Sequence, residues 1–104
     1  MHYHDPEDMK RLGEFGKLAP PEFSAFVAFD KTVGRTDGKI PQKYRELIAL
    51  AVACTTQCPY CIDIHGGNAR KAGASEAEIA EAATIAASLR AGAAITHATH
   101  ALGA

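Results

Sequence analysis

The stretch PQKYRELIALAVACTTQCPYCIDIH, Pro41 to His65, decides how this chain is read. Pro41 opens a helix, because proline is tolerated in the first turn and not in the interior. Behind it Tyr44, Leu47, Ile48 and Val52 fall near one face, and Glu46, Leu50, Ala53 and Cys54 fall on another. Both faces are mainly apolar, so this helix is expected at the centre of the fold. The following TTQ offers Thr55 or Thr56 as an N-cap for a further helix, through Cys58 to about Lys71. All three cysteines and His65 sit between Cys54 and His65.

Outward from this stretch the pattern stays helical. Asp5-Pro6 is a helix opening, and Gly13 and Gly16 allow only a short helix after it. The paired prolines Pro20 and Pro21 introduce a second segment, with Phe23, Phe26 and Val27 on one apolar face and Pro21 in its first turn. Gly34 ends it, and RTDGKI is a turn by composition. Beyond Lys71, Gly73 is a C-cap candidate, and Ser75 with Glu78 forms a capping box. Ile79, Ala83, Ala86 and Leu89 then keep helical spacing, Gly92 is expected to break the helix, and AAITHATHAL to form a sixth piece. No strand pattern occurs. The expected class is all-α: one domain over residues 1–104, a bundle of about five to six helices.

At 104 residues the chain buries a modest core, and much of its 47% apolar content is alanine, which adds little burial. Association of copies would supply the missing burial, so a homo-oligomer is expected. The net charge is −1 with no basic run, which argues against nucleic acid or an anionic membrane as partner. No segment reaches the ~18–20 apolar residues of a membrane span. The polar start MHYHDPEDMKR is not a secretory signal, so the expected compartment is the cytoplasm. Clustered cysteines there indicate metal or redox chemistry more often than a structural disulfide.

Cys58 and Cys61 stand three residues apart, on one helix face, at a Cα separation that suits a reversible disulfide. Pro59 places Cys58 at a helix N-terminus, where amides and the helix dipole favour a thiolate. His65, one turn after Cys61, is a candidate proton carrier. A metal site is the competing possibility. On one continuous helix, however, Cys54 to His65 would span about 16 Å at 1.5 Å per residue, too far for four ligands on one ion. A second C-x-x-C is absent, and His2 and His4 are more often merely solvated in a terminus. CPYC also matches the glutaredoxin tetrapeptide, but glutaredoxins place it after a β-strand, and here it follows an apolar helix.

Glu46, Cys58, Cys61 and His65 together read E-x11-C-x2-C-x3-H. With IPQKYRELIALAVA before the cysteines and HGGNARKAGASEAEIAEAATIAA from His65 onward, the pattern resembles the alkyl hydroperoxidase D-like branch of the carboxymuconolactone decarboxylase superfamily. The resemblance covers about residues 20–102. The YHDPED opening and AGAAITHATHAL ending also resemble small peroxidase-like proteins associated with arsenosugar biosynthesis. The resemblance implies a helical fold assembled as trimers or hexamers. It implies thiol-dependent peroxidase or disulfide-reductase activity with no haem, flavin or metal, using peroxide and a dithiol or thioredoxin-like reductant. By position Cys61 would attack peroxide, Cys58 would resolve, His65 would carry protons and Glu46 would hold His65. The superfamily's decarboxylases lack the C-x-x-C pair, so lactone decarboxylation is not expected. Typical members of the branch are longer and carry a second, degenerate helical copy; this chain has one. The alternative is a non-enzymatic dithiol module for a soft metal or metalloid such as zinc or arsenic.

The residues alone support Glu46 in part. Its helix neighbours Ala49, Leu50 and Ala53 are apolar, and a carboxylate on such a face needs a partner. The helix dipole favours Cys58 as the attacking thiolate, whereas the histidine spacing favours Cys61. Cys54 is expected to be a small packed residue or else a partner in an alternative disulfide, Tyr60 to shape the dithiol or pack, and Asp63 to face solvent or to serve as a charge in the helix's N-terminal turn. His97 and His100 share a helix face and are expected at a surface or subunit contact.

Overall fold

The computed structural model describes residues 4–103, which form two compact units, one before and one after the Pro41–Gln42 bond. In the first unit the Asp5 carboxylate accepts from the Glu7 amide at 3.0 Å and caps a 3₁₀ turn, Pro6–Arg11. Helix α1 (Leu12–Leu18) follows and is short, with Gly13 and Gly16 inside it. Gly16 faces the Phe23 ring, where a Cβ would stand at ordinary contact distance, 3.4 Å. Helix α2 (Pro20–Val33) opens on both prolines, one residue earlier than Pro21 alone suggests, and ends at Gly34. Phe15 stacks on Phe23 at 6.3 Å between ring centroids, and Phe23 lies 6.3 Å from Phe26.

The second unit is three helices running up, down and up: α3 (Gln42–Thr56), α4 (Pro59–Lys71) and α5 (Glu76–Ala98). The chain reverses between α3 and α4, so Glu46 near the start of α3 meets His65 on α4. It reverses again after α4. Lys43 then pairs with Glu78 at 2.9 Å, and Arg90 donates to the Thr55 carbonyl. These two ties are equally spaced along both helices, so α5 runs parallel to α3.

Local chemistry explains the second reversal. Gly73 takes φ +99 just past α4, its amide bonds the Arg70 carbonyl, and the Ala74 amide bonds the Ala69 carbonyl at 2.9 Å. This is the six-residue C-terminal hydrogen-bond pattern of a helix closed by glycine. Ser75 then caps α5 reciprocally with Glu78: Ser75 Oγ accepts from the Glu78 amide at 3.1 Å, and Glu78 Oε1 from the Ser75 amide at 2.9 Å. A Gly73→Ala change meets no atom within 4 Å, so its cost is conformational alone. It should destabilise the unit by about 1 kcal/mol in urea titration.

Three expectations need correction. Gly92 does not break α5, which continues to Ala98. One glycine costs a helix only about 1 kcal/mol against alanine, and its neighbours here are alanines. The expected sixth helix is a 3₁₀ turn of three residues, Thr99–Ala101. Finally, only one face of α3 is covered. Glu46, Leu50 and Ala53 are buried, joined by Ala69, Ala74 and Ala86, whereas Tyr44, Ile48 and Val52 are each about half exposed. Helix α3 is central in contacting both α4 and α5, but neither of them covers its second apolar face.

Candidate functional site

Cys58 sits between two helices and belongs to both ends. Its amide donates to the Ala53 carbonyl at 3.1 Å, which closes the C-terminus of α3. Its side chain caps α4: Cys58 Sγ accepts from the Cys61 amide at 3.3 Å, and Pro59 takes the first helical position. The expected caps, Thr55 and Thr56, instead finish α3. Their hydroxyls bond back to the carbonyls of Val52 and Ala53, at 2.7 and 3.3 Å. A threonine hydroxyl serves a helix interior in this way as readily as it caps. The residue between, Gln57, has φ 57, in the left-handed region.

Cys58 and Cys61 are not joined in a disulfide, and their sulfurs lie 2.6 Å apart. When Cys58 ionises, the Cys61 thiol donates to it, and the amides of Cys61 and Tyr60 add further donors. These hold the Cys58 thiol below its usual range, against a smaller opposing effect of burial. A negative sulfur at the head of α4 also faces the positive end of the helix dipole.

Glu46 and His65 meet across α3 and α4. His65 Nδ1 lies 2.6 Å from Glu46 Oε2. With the glutamate ionised, Nδ1–H donates to it, which fixes the tautomer and leaves Nε2 as the nitrogen for proton exchange. Glu46 is only 8% exposed, whereas the His65 side chain is about one-third exposed. The arrangement thus has a buried acceptor and an imidazole open to solvent. Gln42, one turn earlier on α3, donates through Nε2 to Glu46 Oε1 at 3.4 Å, while its own Oε1 is buried without a partner.

Four residues named from the sequence are therefore brought together as two contacts, Cys58 with Cys61 and Glu46 with His65. Gln42 was missed, although its i,i+4 spacing to Glu46 was there to see. Arg90 was missed because its contact is 35 residues distant in sequence. Cys54 is half-buried on α3, Tyr60 is half-buried, and Asp63 is exposed. His97 and His100 are exposed and meet edge-on at 5.1 Å near the end of α5. His2 lies outside the described residues. Cys54 to His65 do not share one helix as assumed for the metal stripe, because the chain turns at Gln57 and Cys58. Among the described residues no three His, Cys, Asp or Glu side chains form a metal-ligating group. Nor, among them, is any helix long and apolar enough to cross a membrane.

The family profile described as "Carboxymuconolactone decarboxylase family" matches residues 20–104. The chain belongs to the carboxymuconolactone decarboxylase family. That family includes decarboxylases and peroxidases. Among its relatives is "Uncharacterized protein 4 in cox locus" of Paracoccus denitrificans, 43% identical over 97 residues, 93% of this chain and 86% of that protein. An uncharacterized protein of Haemophilus influenzae is 46% identical over 66 residues, 64% of this chain and 58% of that one. The crystal structure of a protein from Methanobacterium thermoautotrophicum superimposes with a TM-score of 0.77 at 32% identity. It covers 86% of this chain and 99% of its own. The all-helical family fold is thus shared by a solved structure.

Proposed function

We propose that this member of the family is a thiol-dependent peroxidase of the alkyl hydroperoxidase D-like kind. The observation that carries the reading is a C-x-x-C dithiol at a helix head, not joined in a disulfide, on the helix whose next turn presents a histidine held by a buried glutamate.

His65 accepts the Cys61 proton, and the Cys61 thiolate attacks the terminal oxygen of a hydroperoxide. The O–O bond breaks, Cys61 becomes a sulfenic acid, and the alkoxide leaves with the proton that His65 returns. The Cys58 thiolate then attacks the Cys61 sulfur. A disulfide forms and the hydroxyl leaves as water after taking one proton. An external dithiol reduces this disulfide by exchange: its thiolate attacks Cys61, Cys58 leaves, and the reductant ends as its own disulfide. Cys58 suits the leaving role because its sulfur is stabilised as a thiolate, and low-pKa thiols leave faster. Cytoplasmic dithiols, including thioredoxin-like proteins, are the proposed reductants.

The test is consumption of hydrogen peroxide and an organic hydroperoxide with dithiothreitol or thioredoxin as reductant, followed by peptide mass spectrometry. Turnover and a Cys58–Cys61 disulfide are expected. A protein that neither turns over with any reductant nor forms this disulfide under peroxide sinks the proposal.

The same reading takes the protein as a homo-oligomer of three or six copies. Its support is apolar surface left open on the second unit: Ile48 and Val52 one turn apart on α3, Ile85 and Leu89 one turn apart on α5. Light scattering should return a trimeric or hexameric mass, and Ile85→Lys should lower it. A monomeric mass at micromolar concentration rejects this part.

A further inference from the structure

The turn that carries Cys58 repeats the turn that ends α4, with one difference. Both close with an amide bonded to the carbonyl five residues back: Cys58 to Ala53 at 3.1 Å, Ala74 to Ala69 at 2.9 Å. At the second turn the left-handed position is Gly73, which adopts it without steric cost. At the first it is Gln57, whose Cβ crowds the following carbonyl in that conformation and disfavours it. Local preference therefore opposes the turn that seats Cys58, and something outside it must hold it closed.

The structure shows one such tie. Arg90, on α5, donates through Nη1 to the carbonyl of Thr55. That carbonyl is among the last four of α3, which have no helical amide to accept from. The other end of the same helix pair is fastened by Lys43 and Glu78. Helix α5 thus acts as a strut along α3, and Arg90 is its upper fastening, next to the dithiol turn. A cation at a helix C-terminus is also favoured by the helix dipole.

We propose that Arg90 is a positioning residue for the dithiol: by holding the Thr55 carbonyl it keeps the Gln57 turn closed and Cys58 seated at the head of α4. Without it Thr55 is left to water, and Gln57 is free to return to negative φ. The Cys58 amide then leaves Ala53, and the sulfur loses its place over the Cys61 amide. The Cys61 thiol and the amides of Cys61 and Tyr60 are the groups that act on the Cys58 sulfur, and Arg90 reaches the turn through the Thr55 carbonyl.

This rests on Cys58 and Cys61 being the working pair, but its test does not need peroxide turnover. Alkylation of Cys58 by iodoacetamide is followed from pH 5 to 10 in the full chain, resolved by peptide mass spectrometry. The variants are Arg90→Met, Arg90→Lys, and Arg90→Met combined with Gln57→Gly. In the wild type the midpoint lies below the free-thiol value of about 8.5. Arg90→Met, similar in length but without a donor, raises the midpoint and slows alkylation at pH 7 by about three- to tenfold, since one pKa unit is tenfold in thiolate at low occupancy. Arg90→Lys, which keeps a donor, stays within about twofold. Gln57→Gly restores the Arg90→Met profile, because glycine holds the turn unaided. Arg90 is exposed, so none of these changes opens the core. An Arg90→Met profile that matches wild type, or a lowered melting temperature with an unmoved profile, overturns the proposal. So does a shifted profile that Gln57→Gly fails to restore. If the protein proves not to be a peroxidase, these profiles keep their meaning, since they report the turn and not the turnover.

Discussion

Serine at Cys58 and serine at Cys61 should each reduce multiple-turnover peroxide consumption by about three orders of magnitude or more, but should fail at different steps. A serine hydroxyl at neutral pH is neither a usable nucleophile toward peroxide nor a partner for a disulfide, and removing one member of a catalytic unit costs about as much as removing all of it. The difference between the variants is visible in a single turnover. In Cys58→Ser the Cys61 thiol, with His65 one turn beyond it, still reacts with one equivalent of peroxide. It then stops as a sulfenic acid that dimedone traps at Cys61. In Cys61→Ser the remaining Cys58 thiolate has lost its main donor, the Cys61 thiol, although the residue 61 amide still reaches it. Its sulfur lies before the helix turn that carries His65, so little peroxide reacts and little adduct forms. Adduct at Cys58 in Cys61→Ser, with none at Cys61 in Cys58→Ser, would reverse the order of attack. Full turnover in both variants would remove the dithiol from the chemistry altogether.

The helices were legible from the sequence wherever their ends are written locally. Pro59 placed Cys58 outside α4, Gly73 supplied a left-handed residue, and Ser75 with Glu78 supplied a reciprocal cap, each readable within a few residues. The α3–α4 junction was not readable in this way. Its threonines serve the helix they end, its cap is a cysteine, and its left-handed residue is a glutamine where glycine is the usual signal. What makes that junction possible lies partly on α5, and a contact 35 residues away leaves no local mark. Gly92 misled for the opposite reason: a local breaker signal was outweighed by alanine on both sides of it. The Glu46–His65 contact lay between these extremes. An acidic residue among Ala49, Leu50 and Ala53 asks for a buried partner, but only the family resemblance pointed to His65 as that partner.

Glu46→Gln should separate activity from stability at that contact. The glutamine Oε1 can still accept from His65 Nδ1–H, so the ring keeps its orientation. The negative charge that stabilises a protonated imidazole is gone. Carboxylates that orient metal-bound histidines cost about 10–100-fold when lost, and by that analogy kcat/KM for peroxide should fall at least that far. Glu46→Ala, which removes orientation as well, should fall further. Stability should move differently. Glu46 is buried in a helix face of leucine and alanine, and its carboxylate meets one imidazole and the Gln42 amide. Taking a carboxylate out of water there is costly, and because the His65 side chain is about one-third exposed, a neutral isostere leaves no buried charge unpaired. The melting temperature of Glu46→Gln should therefore equal or exceed that of the wild type while turnover falls. A carboxylate kept for structure alone would show the reverse, with a lower melting temperature and undiminished turnover, and that outcome would remove Glu46 from the proton relay. A site whose charge is retained at the expense of stability is what selection for chemistry leaves behind, and the paired measurement reads that directly from one substitution.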